Sequence, residues 1–307
     1  MSNKPRARQR SKTPPPKAVQ RTRTALSRAP QRPKRSTFII VCAIAVVVAG
    51  GLIAAVVAGS SSSSGSTAPV LTVPTGDAAA AVATAVTSVP SAVTDQVAVG
   101  AVTGFPTALK GDALTDGGKP ALLYIGAEYC PYCAGERWAM VNALARFGTF
   151  TGLALTHSSS SDVFPSTQTF TFRNAKYSSR YISFSSLELS TNESDGNGGY
   201  KALQTPTAQQ LQIWSTADPG RTYPFLDIGG RYLVSGASYN VSVLQGKDAT
   251  MIAGLLSDPT TPVAKGVLGT ANVLTAAICA QTGNQPAAVC NAAGVAAARG
   301  HLPATSS

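Results

Sequence analysis

The hydrophobic pattern of the chain begins with one long apolar stretch and continues with shorter segments of alternating type. Phe38 to Ala58 is an unbroken run of 21 uncharged, mostly apolar residues. At about 1.5 Å per residue, such a helix would span about 30 Å, the thickness of a bilayer's hydrocarbon core. A cleaved signal peptide is the alternative, but its apolar region is normally only about 7–15 residues long. We therefore predict an uncleaved membrane-spanning helix at residues 37–58.

The segments that follow predict a linker and then an α/β domain. Residues 59–76 are rich in Ser and Pro and predict a flexible linker. Ala121–Ala127 is a short apolar run typical of a buried parallel strand. The residues after Cys133 space their apolar side chains as a buried helix does, and Phe150–His157 has the composition of a second strand. A strand, a helix and a strand within about 35 residues predict a right-handed parallel βαβ unit.

The second half of the chain predicts a loop, a third strand, a hairpin and several helices. Ser158–Thr171 is dominated by Ser and Thr, which is typical of a surface loop, whereas Tyr181–Leu189 partly alternates like a strand. Pro224–Ile228, the turn Gly229-Gly230 and Arg231–Val234 form the clearest hairpin pattern. Helical patterns cover residues 77–89 with Asp77 as N-cap, 207–214 with Thr207 as N-cap, 248–256 and 267–280.

The positive charge of the chain is concentrated at its N terminus. The net charge is +11, but residues 1–36 hold twelve Lys or Arg and no Asp or Glu. The remaining residues carry 13 basic and 14 acidic side chains, so the folded part has no basic surface typical of nucleic-acid binding. Because residues 1–36 contain few apolar side chains, we predict a disordered tail. A nucleic-acid-binding arm is one interpretation of this tail.

The position of the basic tail beside an apolar span favours a different interpretation. Basic residues that flank a membrane-spanning helix usually stay in the cytoplasm. The tail is therefore predicted to be cytoplasmic and attracted to anionic lipid. The single-pass topology then places everything beyond Gly59 outside the cytoplasm, at the cell membrane.

Cys130-Pro-Tyr-Cys133 stands where the predicted strand passes into the predicted helix. A Cys ahead of the first helical turn faces unpaired N–H groups and the positive end of the helix dipole. Both features stabilise the thiolate, which is the attacking species in disulfide exchange. Cys133 lies about one turn further on, where it can resolve a mixed disulfide. Pro131 suits a helix start because its missing N–H would have no partner there.

Two other interpretations of this pair remain open. A CxxC pair also begins zinc sites, but a closed site needs four ligands, and Cys279, Cys290, His157 and His301 do not form a second compact pair. The pair could also be a permanent structural disulfide in an oxidising compartment. We favour redox activity because of the strand-to-helix position, and nothing in the sequence implies a metal or an organic cofactor.

The segment Leu122–Cys133 resembles the active-site segment of the thioredoxin superfamily, and Arg221–Gly230 is similar to its second landmark, a cis-proline that enters a hairpin strand. The resemblance implies that Pro224 is cis and that Tyr223 lies beside the dithiol. Tyr129 and Tyr132 flank the dithiol and could add an apolar docking lip to this substrate groove. The distance from Cys133 to Pro224 implies an insertion between the landmarks.

The chain more closely resembles the prokaryotic family DUF929, whose function is not assigned. The shared features are the apolar anchor, the Cys-Pro-Tyr-Cys motif, the segment Thr169–Leu189 and a C-terminal Cys pair. We expect a thioredoxin-like domain at residues 77–295, with a core at 105–260 and C-terminal helices at 265–295. Residues 296–307 are predicted to be disordered. The implied activity is thiol–disulfide exchange with secreted or membrane proteins, or with a redox partner in the membrane.

Two further features limit or complete this expectation. Thioredoxins carry a buried acidic residue six positions before the first active-site Cys, where this chain has Tyr124. Neither Glu128 nor Glu136 is an obvious replacement for that proton acceptor. Cys279 and Cys290 enclose a short loop, and outside the cytoplasm a structural disulfide is favoured over a second redox centre. A fold that has lost catalysis and a metal-handling protein remain the competing functions.

Overall fold

The computed structural model describes residues 71–305. The predicted basic tail (1–36), the predicted membrane-spanning helix (37–58) and most of the predicted linker (59–76) lie outside the described residues. Among the described helices, Pro262–Gln281 alone is long and apolar enough to cross a membrane, and 89% of its most apolar window is buried inside the fold.

The described residues form a mixed α/β structure, and the element bounds are as follows. The strands are β1 (Thr107–Ala108), β2 (Thr115–Asp116), β3 (Lys119–Gly126), β4 (Gly148–Thr151), β5 (Ala154–His157), β6 (Gln168–Thr171), β7 (Lys176–Ser179), β8 (Ser183–Glu188), β9 (Ser190–Ser194), β10 (Tyr200–Ala202), β11 (Phe225–Ile228) and β12 (Tyr232–Ser235). The helices are α1 (Gly76–Thr87), α2 (Ser91–Val97), α3 (Pro131–Ala145), α4 (Ala208–Ala217), α5 (Ala249–Leu255), α6 (Pro262–Gln281), α7 (Ala287–Cys290) and α8 (Ala293–Arg299), with a 3₁₀ turn at Val241–Leu244.

β3 is the central strand of the main sheet. It pairs antiparallel with β11 and parallel with β8, while β12 and β1 follow β11 in order and β2 pairs with the start of β3. Its side chains alternate between two apolar layers. Leu122 and Tyr124 join the large core that contains residues of α3 and α6, and Leu123 and Ile125 join a smaller core with Trp214 of α4. Because both faces are covered, the strand is continuously apolar, as predicted.

The predicted hairpin and the predicted helix with Thr207 as N-cap are confirmed. β11 and β12 pair antiparallel, and Gly229 and Gly230 have φ of 66° and 68°, a left-handed conformation that glycine adopts without steric cost. Thr207 caps α4 with a complete capping box, in which its hydroxyl accepts from Gln210 N–H. The N-cap of α1 is Thr75, two residues before the predicted Asp77.

The predicted βαβ unit has a different second strand. Residues 150–157 do not pair with β3. They are divided between β4 and β5, which pair antiparallel with β7 and β6. Gly152 has φ 71°, and this left-handed residue interrupts the extended backbone. The parallel partner of β3 is instead β8, the third predicted strand, so the crossover contains α3 and four short strands.

The predicted surface loop 158–171 is also partly wrong. Its last four residues form β6, and all four are buried. Their polar groups are paired inside the protein: Thr169 Oγ1 donates to the Ala134 carbonyl, and Gln168 Oε1 accepts from Ala249 N–H. A buried segment that satisfies its polar side chains resembles a loop in composition.

The C-terminal helices continue beyond the predicted domain end at 295. α8 extends to Arg299, and the His301 ring stacks on Phe105 with centroids 4.9 Å apart. The predicted boundary therefore falls within a helix, and residues 296–301 belong to the folded region. The expected insertion between α3 and the proline-led strand is present as β4 to β10 and α4.

Candidate functional site

The dithiol lies at the junction of β3 and α3. Cys130 is the N-cap of α3, with φ −73° and ψ 119°, and Pro131 is the first helical residue. Cys130 Sγ accepts a hydrogen bond from the Cys133 backbone N–H at 3.1 Å. The sulfur therefore faces the free N–H groups and the positive dipole end of the helix, the position expected for a reactive thiolate.

The two thiols differ in their ionisation. Burial opposes the thiolate at Cys130, but the hydrogen bonds from Cys133 and the charge of Arg137 outweigh it and lower the Cys130 pKa below its ordinary value. Cys133 is fully buried, and this burial raises its pKa well above the ordinary value, with a further increase from Cys130. Cys130 is thus suited to attack as a thiolate, whereas Cys133 is held as a protonated thiol.

Aromatic side chains surround the dithiol. Tyr129 and Tyr223 pack against the two cysteines, and their hydroxyl groups hydrogen-bond to each other. The peptide bond between Tyr223 and Pro224 is cis, as the resemblance predicts. Tyr132, between the cysteines, is 43% exposed and is therefore free to contact another molecule.

Two aromatic residues of this surface were not predicted from the sequence. Tyr200 stacks on Tyr129 with ring centroids 4.0 Å apart, and Phe164 meets Tyr132 edge to face at 5.9 Å. Both come from the segments between α3 and β11, far from the dithiol in sequence. No local signal marks such residues, because their positions depend on how the insertion folds.

A buried polar cluster lies behind the dithiol. Arg137, fully buried on α3, donates through Nη1 to both carboxylate oxygens of Glu188, at 3.1 and 3.0 Å. The same nitrogen donates to the Tyr124 hydroxyl at 3.1 Å and approaches the Ala127 carbonyl at 3.3 Å. Arg137 and Glu188 were not identified from the sequence, where they are ordinary helix and strand residues 51 positions apart.

The charges of this cluster are set by burial and by pairing. Burial opposes the positive charge of Arg137, but Glu188 and its other neighbours raise the Arg137 pKa, so the guanidinium stays charged. Burial raises the Glu188 pKa above its ordinary value, and Arg137 only partly offsets this. Burial also raises the pKa of Tyr124 well above its ordinary value, so its hydroxyl keeps its proton.

The two glutamates considered from the sequence have other partners. Glu136 is fully buried and accepts hydrogen bonds from the backbone N–H and the hydroxyl of Ser238, at 3.1 and 3.0 Å. Glu128 accepts from the Thr171 hydroxyl at 2.7 Å. Within residues 71–305, no group of three or more His, Cys, Asp or Glu side chains is arranged to hold a metal ion.

Residues 107–280 match a family model described as a domain of unknown function, DUF929. The match extends over more than half of the chain and includes the dithiol, the Arg137–Glu188 pair and Pro224. The chain belongs to the DUF929 family. No curated protein and no solved structure matches it.

The second cysteine pair of this DUF929 chain is separate from the Cys130–Cys133 dithiol, both in sequence and in the fold. Cys279 at the end of α6 and Cys290 at the end of α7 form a disulfide with a Cα–Cα distance of 5.6 Å. Both residues are buried within the large core. The predicted pairing is therefore confirmed, and it connects two C-terminal helices.

Proposed function

We propose that this DUF929 protein carries out thiol–disulfide exchange, with Cys130 as the nucleophile. The observation that carries the proposal is the position of the Cys130 sulfur at the N-cap of α3. There the sulfur accepts a hydrogen bond from the Cys133 backbone N–H, and the Cys130 pKa is lowered. A structural disulfide or a packed free thiol needs neither feature. The strand-to-helix CxxC and the packing of Tyr223 against it also support a thioredoxin-like mechanism for this domain.

The exchange would proceed in two steps. The Cys130 thiolate attacks one sulfur of a substrate disulfide, so that a Cys130–substrate disulfide forms and the other substrate sulfur leaves as a thiolate. Cys133, once deprotonated, attacks Cys130 Sγ, and the second substrate sulfur leaves. The dithiol thereby loses two electrons and the substrate disulfide gains them, and the same steps in reverse oxidise a substrate dithiol.

The substrate groove is assigned to the aromatic surface beside Cys130. The exposed Tyr132 and the paired Tyr129 and Tyr223 provide an apolar surface next to the sulfur, and Pro224 follows Tyr223 at the start of β11. A polypeptide with a cysteine can place apolar side chains on such a surface while its sulfur approaches Cys130. The proposed substrates are protein thiols and disulfides.

The proposed location is the cell membrane, with the dithiol on the extracytoplasmic side. This part rests on the apolar residues 37–58 and on the basic tail, which would remain cytoplasmic beside anionic lipid. The substrates would then be secreted or membrane proteins, or a redox partner in the same membrane.

A trapping experiment tests the activity. The full chain with Cys133→Ser, produced in its native host, should accumulate mixed disulfides with partner proteins, because the second step is blocked. The matched control carries Cys130→Ser as well and should trap nothing. If the two variants give the same adducts, or none, Cys130 is not a working nucleophile and the proposal is wrong. A reduction potential below about −300 mV for the wild-type pair would indicate a structural disulfide instead.

A further inference from the structure

The buried position of Cys133 creates a chemical requirement that the dithiol alone does not meet. Cys133 has no exposed surface, and its pKa is raised well above the ordinary value. It must lose its proton before it can attack the mixed disulfide. A proton acceptor inside the protein is therefore needed, if the protein exchanges disulfides as proposed above.

Gly126 leaves a space that Cys133 and the polar cluster both border. A Cβ atom at this position would overlap the Tyr124 hydroxyl and stand 3.2 Å from Cys133 Sγ. The sulfur and the hydroxyl oxygen thus border the same small volume. Arg137 Nη1 donates to the Tyr124 oxygen, and Tyr124 donates no hydrogen bond to any group among residues 71–305, so its proton is available.

Glu188 lies next to this space. It is the parallel register partner of Gly126, and its carboxylate sits on the same Arg137 nitrogen that holds the Tyr124 hydroxyl. The titratable and charged groups that face Glu188 are Arg137 from α3, Glu128 from the turn after β3, and Tyr124 from β3, which itself also faces the two cysteines. Among these, Glu188 is the carboxylate linked to Tyr124 through a shared donor.

Arg137 lowers the electrostatic free energy needed for a proton transfer within this cluster. With Cys133 protonated, the buried charges are the Arg137 cation and the Glu188 anion. After a proton passes from Cys133 to Glu188, the anion is the thiolate beside the same cation, so the net buried charge does not change. Creating a new unpaired charge in the interior would cost far more. Within the described residues, Arg137 Nε and Nη2 have no hydrogen-bond partner. These two donors are therefore free to stabilise the Cys133 thiolate.

We propose that Glu188 is the proton acceptor for Cys133 in the resolving step, with the Tyr124 hydroxyl carrying the proton between them. The S–H bond of Cys133 breaks as its proton moves to the Tyr124 oxygen, and the Tyr124 hydroxyl proton moves to Glu188. The Cys133 thiolate then forms the bond to Cys130 Sγ, and the substrate sulfur leaves with the electron pair of the broken disulfide. Arg137 is a positioning residue that stabilises the Glu188 carboxylate before the transfer and the Cys133 thiolate after it.

The test separates the two steps with an aromatic disulfide, 5,5′-dithiobis(2-nitrobenzoate). The reduced full chain in mild detergent, with Cys42→Ser to remove the remaining thiol, should release thionitrobenzoate twice. The first release reports the attack of Cys130, and the second reports the attack of Cys133. Glu188→Gln should leave the first release unchanged and slow the second roughly 100-fold at neutral pH, the usual contribution of a general base.

The matched control is Glu136→Gln, a buried carboxyl on the same helix with Ser238 as its partner. It should leave both releases unchanged. Glu188→Gln should also move the pH midpoint of the second release upward, towards that of an unassisted thiol, and Glu188→Asp should partly restore the rate. If Glu188→Gln does not fold, Tyr124→Phe, which keeps the ion pair, should show the same selective slowing.

The outcomes distinguish this inference from the function on which it rests. No first release in the wild type would overturn the proposed function and the inference with it. A normal first release, with a second release whose rate and pH midpoint are unchanged in Glu188→Gln or in Tyr124→Phe, would overturn the inference alone. Equal slowing in Glu136→Gln would also overturn it, because the effect would then follow from loss of any buried carboxyl group on this side of the domain.

Discussion

Cys130 and Cys133 are three residues apart, yet their surroundings give them opposite chemistry. The Cys130 sulfur accepts a hydrogen bond from a backbone N–H at the helix start, and this lowers the Cys130 pKa. The Cys133 sulfur is enclosed by protein, and this burial raises the Cys133 pKa. The first difference follows from local backbone geometry and was predictable from the sequence. The second depends on how completely the folded chain encloses Cys133, which no local pattern in the sequence reports.

Gly126 is the residue at which this enclosure of Cys133 is most easily tested. Gly126→Ala would place a methyl group against the Tyr124 hydroxyl and 3.2 Å from Cys133 Sγ. We expect a loss of about 1–3 kcal/mol in the free energy of unfolding, which is typical of overpacking. We also expect slower release of the second thionitrobenzoate, because the methyl group would fill the space that the sulfur and the hydroxyl group both border. Urea denaturation and the two-phase release assay measure these effects.

Gly254 provides the control for this substitution. It lies inside α5, and a Cβ there meets nothing within 4 Å. Gly254→Ala should leave the dithiol unaffected and raise stability by about 0.5–1 kcal/mol, because alanine favours the helix. Wild-type stability and kinetics in Gly126→Ala would contradict the close approach of the Tyr124 hydroxyl group to Gly126.

At the scale of elements, the features with local signals were predictable and the pairings were not. The double glycine of the hairpin, the Thr207 capping box and the proline-led start of α3 are encoded within a few residues. The strand partner of β3 is chosen by tertiary packing, so the nearer segment 150–157 was wrongly predicted. The Arg137–Glu188 pair follows from that same choice, because only β8 places Glu188 beside Gly126.

The disulfide between α6 and α7 is an element-scale constraint that should be independent of the dithiol. The cysteines are 11 residues apart. Closing such a loop restricts the unfolded chain and stabilises the fold by roughly 2–3 kcal/mol. Cys279→Ala with Cys290→Ala should therefore lower the free energy of unfolding by about this amount or somewhat more in urea titrations, since packing is also lost. The rate of the first thionitrobenzoate release should stay the same, and a lost first release would instead indicate a second redox centre coupled to Cys130.

At the scale of the whole molecule, the dithiol and the buried polar cluster lie at one edge of the main sheet. The parallel strands β3 and β8 end in register at Gly126 and Glu188, and α3 begins at the same edge. The carboxyl ends of parallel strands are the usual location of functional sites in α/β folds. The cost of this design is that several carboxyl groups are buried near α3 and the sheet, among them Glu136, Glu188 and Asp227.

These buried carboxyl groups should make the protein more stable in mild acid than in alkali. Burial raises the Glu136 pKa from its ordinary 4.5 to about 7, although the Ser238 hydrogen bonds oppose the shift. Burial also raises the pKa of Asp227, to about 6. Between the unfolded and folded pKa values the native state binds more protons than the unfolded chain, so stability falls as pH rises through this window. The stabilising contribution of Glu136 is fully present below about pH 4.5 and is lost above about pH 7.

Glu136→Gln measures the share of one group in this effect. A pKa displacement of this size corresponds to about 3 kcal/mol of stability between the two limits. The difference in unfolding free energy between pH 4 and pH 9, from urea titrations of the full chain in detergent, should therefore shrink by about 3 kcal/mol in the variant. Because the comparison is between two pH values in each protein, the hydrogen bond that glutamine loses to Ser238 cancels. An unchanged difference would mean that Glu136 ionises in the folded protein as it does in water, and it would contradict the complete burial of this carboxyl group.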